Sequence, residues 1–325
     1  ADLKSAGRKN NQPLVSVIMP SWNRGEVIHA SIDSVLSQSY PNFELIISDD
    51  GSSDSTCSYI EERYSQAIRS RKIKLLRNEH IGVCAARNKG LKAATGELIA
   101  YLDSDNQWRE HYLLLMVTAF SESDEVYCAY SALLSHDNNQ KSKKILSRTF
   151  DRKQLLVSNF IDLNVFMHRK ALYEQYGGFD ESLTRLVDWE LIIRYTEHHE
   201  PVRLPFTGVD YYLDHEKFNN ITTSVNLDDN RNKVYKRHFS ERLRYRLEPF
   251  KLAYVLWDFP ALSQTFVINE LRWLVANHYD VIVYFAITPD RSATLNFEVE
   301  AHQTATPEEL IPLLREHERN YCHSH

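Results

Sequence analysis

The sequence predicts an α/β protein in which a mostly parallel central sheet is flanked by helices and a βαβ-like piece is appended towards the C-terminus. Three observations predict it. Short apolar runs, several rich in β-branched residues, alternate with segments of helical spacing, which is the pattern of βαβ units. A composition of 43% hydrophobic, 25% charged and 11% aromatic residues over 325 positions is that of a globular chain long enough for one large or two smaller cores. All nine glycines fall between Gly7 and Gly208, so turn chemistry changes in the last third and a domain boundary belongs there.

Taken in order, residues 1–11 are polar and are expected to be an extended or disordered N-terminus. Continuous apolar runs at 15–19, 45–48, 73–76, 98–102, 126–130 and 164–167 read as buried strands. Between them, residues 26–38, 55–70, 83–94 and 109–120 have the apolar spacing of helices, with Asp54 or Ser55 placed to cap the second. The stretches 130–165 and 200–225 are expected to be loops that decide substrate choice. This first domain covers residues 12–227. Residues 228–250 are polar, and Tyr235, Phe239, Leu243 and Leu247 recur every fourth position, the stripe of an amphipathic helix or linker that closes the domain. Strand-like 252–257, helical 266–276 and strand-like 281–286 then open a fresh βαβ unit within residues 251–325.

A net charge of -6 argues against nucleic acid as a partner. The four cysteines, Cys57, Cys84, Cys128 and Cys322, contain no CxxC pair and read as reduced thiols. No apolar run approaches the roughly 18 residues of a membrane span, and the start lacks a signal-peptide core. A cytoplasmic protein is expected, with peripheral contact at the inner face of a membrane through the basic segment 231–246 as an additional reading. Glu241, Glu248 and the need to cover a core favour a solvated helix there instead.

In open α/β sheets, ligands gather at the carboxyl ends of strands, so polar residues directly after apolar runs are the candidates. Two such places are acidic: Asp49-Asp50-Gly51 and Asp103-Ser104-Asp105. Asp103 and Asp105, two residues apart, can point to the same side and share a hard cation such as Mg²⁺ or Mn²⁺, completed by water and phosphate oxygens. An isolated Asp-Ser-Asp also reads as a helix cap. No GxxxxGK[ST] loop, GxGxxG turn, GxSxG elbow or HExxH pair is present, which removes the main support for kinase-like, dinucleotide-binding, serine-hydrolase and zinc-protease readings.

Six landmarks in order resemble family 2 glycosyltransferases. They are Val15-Ser16-Val17-Ile18-Met19-Pro20-Ser21-Trp22-Asn23-Arg24, the run from Ser34 to Leu45, Asp49 to Asp54, Ala86-Arg87-Asn88-Lys89-Gly90, Asp103-Ser104-Asp105, and Gly177-Gly178-Phe179-Asp180-Glu181 ahead of Asp188-Trp189-Glu190-Leu191. The resemblance implies the GT-A fold, with a Rossmann-like nucleotide-binding half. It implies an inverting enzyme that moves a hexosyl or N-acetylhexosaminyl group from a nucleotide diphosphate donor, usually a UDP-sugar, to a glycan or lipid-linked acceptor in polysaccharide assembly. Pro20, Ser21 and Asp50 would hold the nucleoside, Arg87 the diphosphate, and Asp103 and Ser104 the ribose or metal region. Asp105 would be the main metal ligand, with Asp103 and His215 as companions, and Asp188 the general base. Val187 and Asn106 stand where the family often has acids. Residues 251–287 resemble the start of a family 4 (GT-B) glycosyltransferase, which would make the chain a fragment of a longer protein. Two other functions stay open: a nucleotidyltransferase, which would want a glycine-rich phosphate loop that Pro20 to Gly25 does not supply, and a catalytically silent domain binding a sugar nucleotide or a partner transferase.

Overall fold

A computed structural model describes residues 12–137, 141–213, 227–238, 251–258, 269–273, 280–287, 300–303 and 321–324. The chain divides into two compact units, with the boundary between His238 and Phe239.

The first unit is built on a nine-stranded sheet. Strands β1 (Val15–Ser21) and β2 (Phe43–Asp49) are buried along their whole length, which is why they read as unbroken apolar runs rather than alternating ones. They pair in parallel with each other, and β3 (Ile73–Arg77) and β4 (Leu98–Tyr101) extend the parallel ladder on either side, giving the order β3-β2-β1-β4. Helices α1 (Ile28–Leu36), α2 (Thr56–Arg63), α3 (Ser65–Arg69) and α4 (Val83–Ala93) make the crossovers. The segment 55–70 is thus two helices rather than one. The break falls at Tyr64, whose buried ring donates its hydroxyl to Asp33 Oδ1 at 2.8 Å and so docks on α1. Asp54, not Ser55, caps α2, its Oδ1 accepting from the Thr56 amide at 2.9 Å.

Beyond β4 the sheet becomes mixed. After β5 (Gln107–Trp108) and α5 (Tyr112–Glu122) come β6 (Cys128–Asp137) and the edge strand β7 (Ser142–Leu146), then α6 (Arg152–Leu155), a 3-10 turn (Leu163–Val165) and β8 (Phe166–Arg169). Strand β8 runs antiparallel to both β4 and β6, while β6 pairs in parallel with β9 (Val202–Leu213). Two expectations change here. Residues 202–213 are a long strand rather than a loop, and the strand expected at 126–130 runs on to Asp137, because each finds a partner far away in sequence that no local pattern announces. The segment expected as a strand at 164–167 is a capped turn feeding a short strand, with Asp162 Oδ1 accepting from the Asn164 amide at 2.8 Å.

Helices α7 (Lys170–Tyr176) and α8 (Val187–Tyr195) complete the layer, and α9 (Leu227–Arg237) lies on this unit. Val234 is buried in its core, and Tyr235 meets Trp189 edge-on at 5.7 Å and donates to the Val157 carbonyl at 3.0 Å. Of the amphipathic stripe, only Tyr235 falls within the described residues; Phe239, Leu243 and Leu247 lie outside them, as do residues 1–11. The second unit contains β10 (Lys251–Asp258), β11 (Asp280–Ile287), β12 (Glu300–Gln303) and β13 (Tyr321–Ser324), all parallel, in the order β12-β11-β10-β13. This matches the strands expected at 252–257 and 281–286, and residues 269–273 are helical. Among the described residues, no helix is long and apolar enough to cross a membrane.

Candidate active site

In the β3-β2-β1-β4 order, successive strands lie on opposite sides of β1, which opens a crevice at its carboxyl end. A cavity of about 410 Å³ occupies that place. Pro20 and Ser21 enter it from the end of β1, Asp50 from just past β2, Arg87 from the first turns of α4, and Asp103, Ser104 and Asp105 from just past β4. Every residue expected to hold the donor, and Asp105, therefore lines one cleft. His215 lies outside the described residues.

The loops around the cleft are tied by the polar residues of the Asp49 to Asp54 motif. Asp49 Oδ1 accepts from the Ser21 and Ser52 hydroxyls at 2.9 and 2.6 Å. Asn23 Oδ1 accepts from the amides of Ser53 and Asp54, and Thr56 Oγ1 from that of Arg24. Gly51 has φ +72°, and a Cβ there would meet the His80 amide nitrogen at 2.7 Å, so conformation and space both require glycine. Asp50 is buried, and its carboxylate accepts from the Ile81 amide at 3.0 Å and the Gly82 amide at 3.0 Å, with His80 Nδ1 2.9 Å away. It thus pins the loop leading into α4 as well as facing the cleft.

The acidic centre is connected rather than scattered. Arg87 is buried, donates from Nη2 to Asp103 Oδ1 at 2.6 Å, lies 5.3 Å from the Phe179 ring, and has an Nε without a hydrogen-bond partner among the described residues. Asn164 accepts from the Asp103 amide at 2.7 Å and donates to Asp103 Oδ2 at 3.2 Å and to Asp162 Oδ1 at 2.8 Å. Burial pushes the Asp105 carboxyl up to about 6, and Asp103 adds to the rise while Arg24, 3.8 Å from it, opposes it. Burial likewise raises Asp162 to about 7, with Asp103 and Asp188 contributing.

Asp188 is the second residue of α8, not its cap. Burial raises its carboxyl above the usual range, Asp103 adding to the effect and Arg87 countering it. Asn159 Nδ2 donates to its Oδ2 at 2.9 Å and fixes its orientation. Asp188 does not line the cleft; it lies near Arg87 and Asp103 and, through Asn159, adjoins a second cavity of about 280 Å³ that Asn159 and Asp162 line. Tyr211, on β9, lines both cavities. Glu190, the neighbouring acid in the same motif, points elsewhere: it is fully buried against Arg194, at 2.7 Å, and against Arg237 and His238.

Asp103 and Asp105 present carboxylate oxygens, the hard ligands a divalent cation takes, and the Asp105 carboxyl is held towards neutrality by burial beside Asp103, a cost that a cation would relieve. No group of three or more His, Cys, Asp or Glu with metal-binding geometry occurs among the described residues. The fit is that of an ion held by two carboxylates and completed by ligand oxygens. Sequence reasoning missed Asn159, Asp162, Asn164 and Tyr211. Asn164 was read as the first residue of a strand, and nothing in the local pattern brings it to Asp103, 61 positions away. Trp22 and His80, stacked at 4.6 Å on the cleft wall, and Arg24 could have been suspected from adjacency to Pro20 and Asp50.

Residues 16–176 match the family described as Glycosyl transferase family 2. The UDP-Glc:alpha-D-GlcNAc-diphosphoundecaprenol beta-1,3-glucosyltransferase WfgD of Escherichia coli is 38% identical over 144 residues, which cover 44% of this chain and 55% of that protein. The chain thus spans about half the length of this relative. Among solved structures, S. aureus TarS 1-349 in complex with UDP-GlcNAc aligns with a TM-score of 0.58 at 18% identity, over 70% of this chain and 66% of that one. The mannosyltransferase PcManGT from Pyrobaculum calidifontis, in complex with GDP-Man and Mn²⁺, aligns with a TM-score of 0.53 at 19% identity, over 72% of this chain and 65% of that one.

Proposed function

Residues 16–176 are a family 2 glycosyltransferase domain on a GT-A fold, and from that premise we propose that the chain is an inverting glycosyltransferase using a nucleotide diphosphate sugar, with a UDP-sugar as the leading donor. The observation that carries the reading is the single cleft at the strand-order switch into which Asp50, Arg87, Asp103 and Asp105 all project. Pro20, Ser21 and Asp50 take the nucleoside, the buried Arg87 takes the diphosphate, and Asp103 and Asp105 hold Mn²⁺ or Mg²⁺. Such an ion, when bound, neutralises charge building on the leaving diphosphate. His215 is an additional candidate ligand.

Asp188, held by Asn159, accepts the proton of an acceptor hydroxyl while that oxygen bonds to the anomeric carbon. The carbon–diphosphate bond breaks in the same displacement, its electron pair leaves with the nucleotide, and configuration inverts. Its raised carboxyl supports this role, because a base with an elevated pKa has more driving force to take the proton. The acceptor is a glycan or a lipid-linked sugar in polysaccharide assembly, and the WfgD relative, named for a diphosphoundecaprenol-linked acceptor, supports the lipid-linked form. Work on such an acceptor would put the protein at the cytoplasmic face of a membrane.

Calorimetric titration with UDP, GDP and CDP, in Mn²⁺ and then in chelator, tests the donor site on wild type and Asp105→Ala. Metal-dependent UDP binding weakened at least tenfold by the substitution is expected. Binding of no diphosphate under any condition would refute the reading and leave a silent domain.

A further inference from the structure

The two strand-end carboxylates of the cleft face two arginines. Arg87 Nη2 donates to Asp103 Oδ1 at 2.6 Å, and Arg24 Nη2 lies 3.8 Å from Asp105 Oδ2. The other oxygen of each carboxylate takes an asparagine amide: Asn164 Nδ2 donates to Asp103 Oδ2 and Asn106 Nδ2 to Asp105 Oδ1, both at 3.2 Å. Each of the four oxygens therefore has a side-chain partner, and two negative charges are met by two positive ones. A divalent cation on these oxygens competes with the guanidinium groups for the same charge.

The partners are not held alike. The Arg87 side chain is 8% exposed, makes the shortest of the four contacts and is backed by the Phe179 ring at 5.3 Å. Both asparagines are buried and tied to backbone: Asn106 Oδ1 accepts from the Tyr212 amide at 3.2 Å, and Asn164 Oδ1 from the Asp103 amide at 2.7 Å. The Arg24 side chain is 21% exposed, and its contact with Asp105 is the longest, beyond hydrogen-bond length. Its backbone is fixed. The Arg24 amide donates to Thr56 Oγ1 at 2.8 Å, its carbonyl accepts from the Val27 and Ile28 amides at 3.0 Å, and the next amide, that of Gly25, donates to Asp54 Oδ2 at 3.2 Å. Arg24 is thus a cation on the cleft wall with a rigid base, and of the four partners its head group is the one held most loosely.

We propose that Arg24 couples the cation to the nucleotide: its guanidinium balances Asp105, yields Oδ2 to the divalent cation, and turns to the diphosphate oxygens in the same cleft. A cation arriving alone displaces Arg24 without giving it a new anion. A cation arriving with a diphosphate does give it one, and guanidinium groups suit phosphate oxygens as well as carboxylates. Both ligands then bias one side-chain equilibrium, so each tightens the other by the same factor. The inference rests on the transferase reading and adds a residue that makes the cation–diphosphate pair, rather than the free cation, the preferred ligand.

The test is calorimetric titration of the full chain with Mn²⁺ alone, with UDP in chelator, and with UDP in saturating Mn²⁺, on wild type, Arg24→Gln and Arg24→Lys. A partly exposed ion pair is worth up to a few-fold in affinity, so Arg24→Gln should bind Mn²⁺ alone about threefold tighter or more. It should bind UDP at least threefold more weakly in Mn²⁺ and within twofold of wild type in chelator. Arg24→Lys keeps a charge at that point and should restore the wild-type order of affinities. Unchanged or weaker Mn²⁺ binding in Arg24→Gln overturns the proposal, since Arg24 would then not compete for Asp105. Equal losses of UDP affinity in chelator and in Mn²⁺ also overturn it, because Arg24 would serve the nucleotide or the loop independently of the cation. Wild type that binds UDP but no Mn²⁺ refutes the coupling while leaving the donor site standing, and wild type that binds no UDP at all marks failure of the transferase reading itself.

Discussion

Replacing Glu190 by Gln removes one charge from a fully buried carboxylate and leaves its volume in place. The carboxylate accepts from Arg194 Nε and Nη2 at 3.0 and 2.7 Å, with Arg237 Nη1 at 3.3 Å and His238 Nε2 at 3.4 Å. Burial alone would raise its pKa, but the nearby His238 ring, the hydrogen bonds from Arg194 and the charges of Arg194 and Arg237 pull it from 4.5 to about 2. A depression of that size corresponds to roughly 3 kcal/mol of stability at neutral pH. Breaking a buried ion pair from one side costs about 3–5 kcal/mol, so two routes reach a similar figure. Arg194 keeps the carbonyls of Tyr176, Gly177 and Gly178 as acceptors, which places Glu190→Gln near the lower end.

The sign follows from the folded value lying below the unfolded one. The contribution is present above the unfolded value of 4.5 and is lost as pH falls towards 2. Urea unfolding of wild type and Glu190→Gln between pH 7 and pH 2.5 should therefore give curves about 3 kcal/mol apart at pH 7 that converge in acid. A difference under about 1 kcal/mol at pH 7, or a gap that does not close in acid, would refute the account of the cluster.

Asp188→Asn should lower kcat by about 10²-fold or more while UDP affinity stays within twofold, since a lost general base typically removes 10²–10⁴-fold; parallel loss of UDP binding would place Asp188 in the donor site instead. Because burial raises the Asp188 carboxyl, the acid limb of kcat/KM should lie above the ordinary Asp range, activity falling as pH drops through it, and Asp188→Glu should move that limb; a pH profile identical in the two enzymes would exclude Asp188 as its source. Gly178→Ala would drive a Cβ into Asn88 Oδ1, which accepts from the Phe179 amide at 2.7 Å, so about 1–3 kcal/mol of stability should be lost by urea unfolding. Phe179 backs Arg87, so diphosphate affinity should fall with it, and a variant as stable as wild type would show that Asn88 has room to move.

The parallel half of the fold was legible because burial on both faces writes β1 and β2 as continuous apolar runs, and helical spacing separates them. The cleft was legible for the same reason: in a sheet of this order the ligand meets strand ends, so Pro20, Asp50 and Asp103 to Asp105 are local in sequence to the strands that aim them. Where the structure depended on distant partners, the reading failed. Strand β9 is anchored by β6, more than 70 residues earlier, so its own sequence suggests a loop, and the 55–70 segment suggests one continuous helix because nothing local shows that Tyr64 docks on α1.

The amino-acid sequence by itself therefore determined the alternation of strands and helices, the strand-end carboxylates and the motif that contains Asp188, since each depends on spacing within one or two elements. Only the tertiary structure decided that Asn164 bridges Asp103 and Asp162, that Asn159 orients Asp188, and that Glu190, two residues from Asp188, is turned into an ion cluster instead of the site. The Asn164–Asp103 and Asn159–Asp188 hydrogen bonds join side chains 61 and 29 residues apart, and a contact across such a distance leaves no periodicity in the chain for a reader to find.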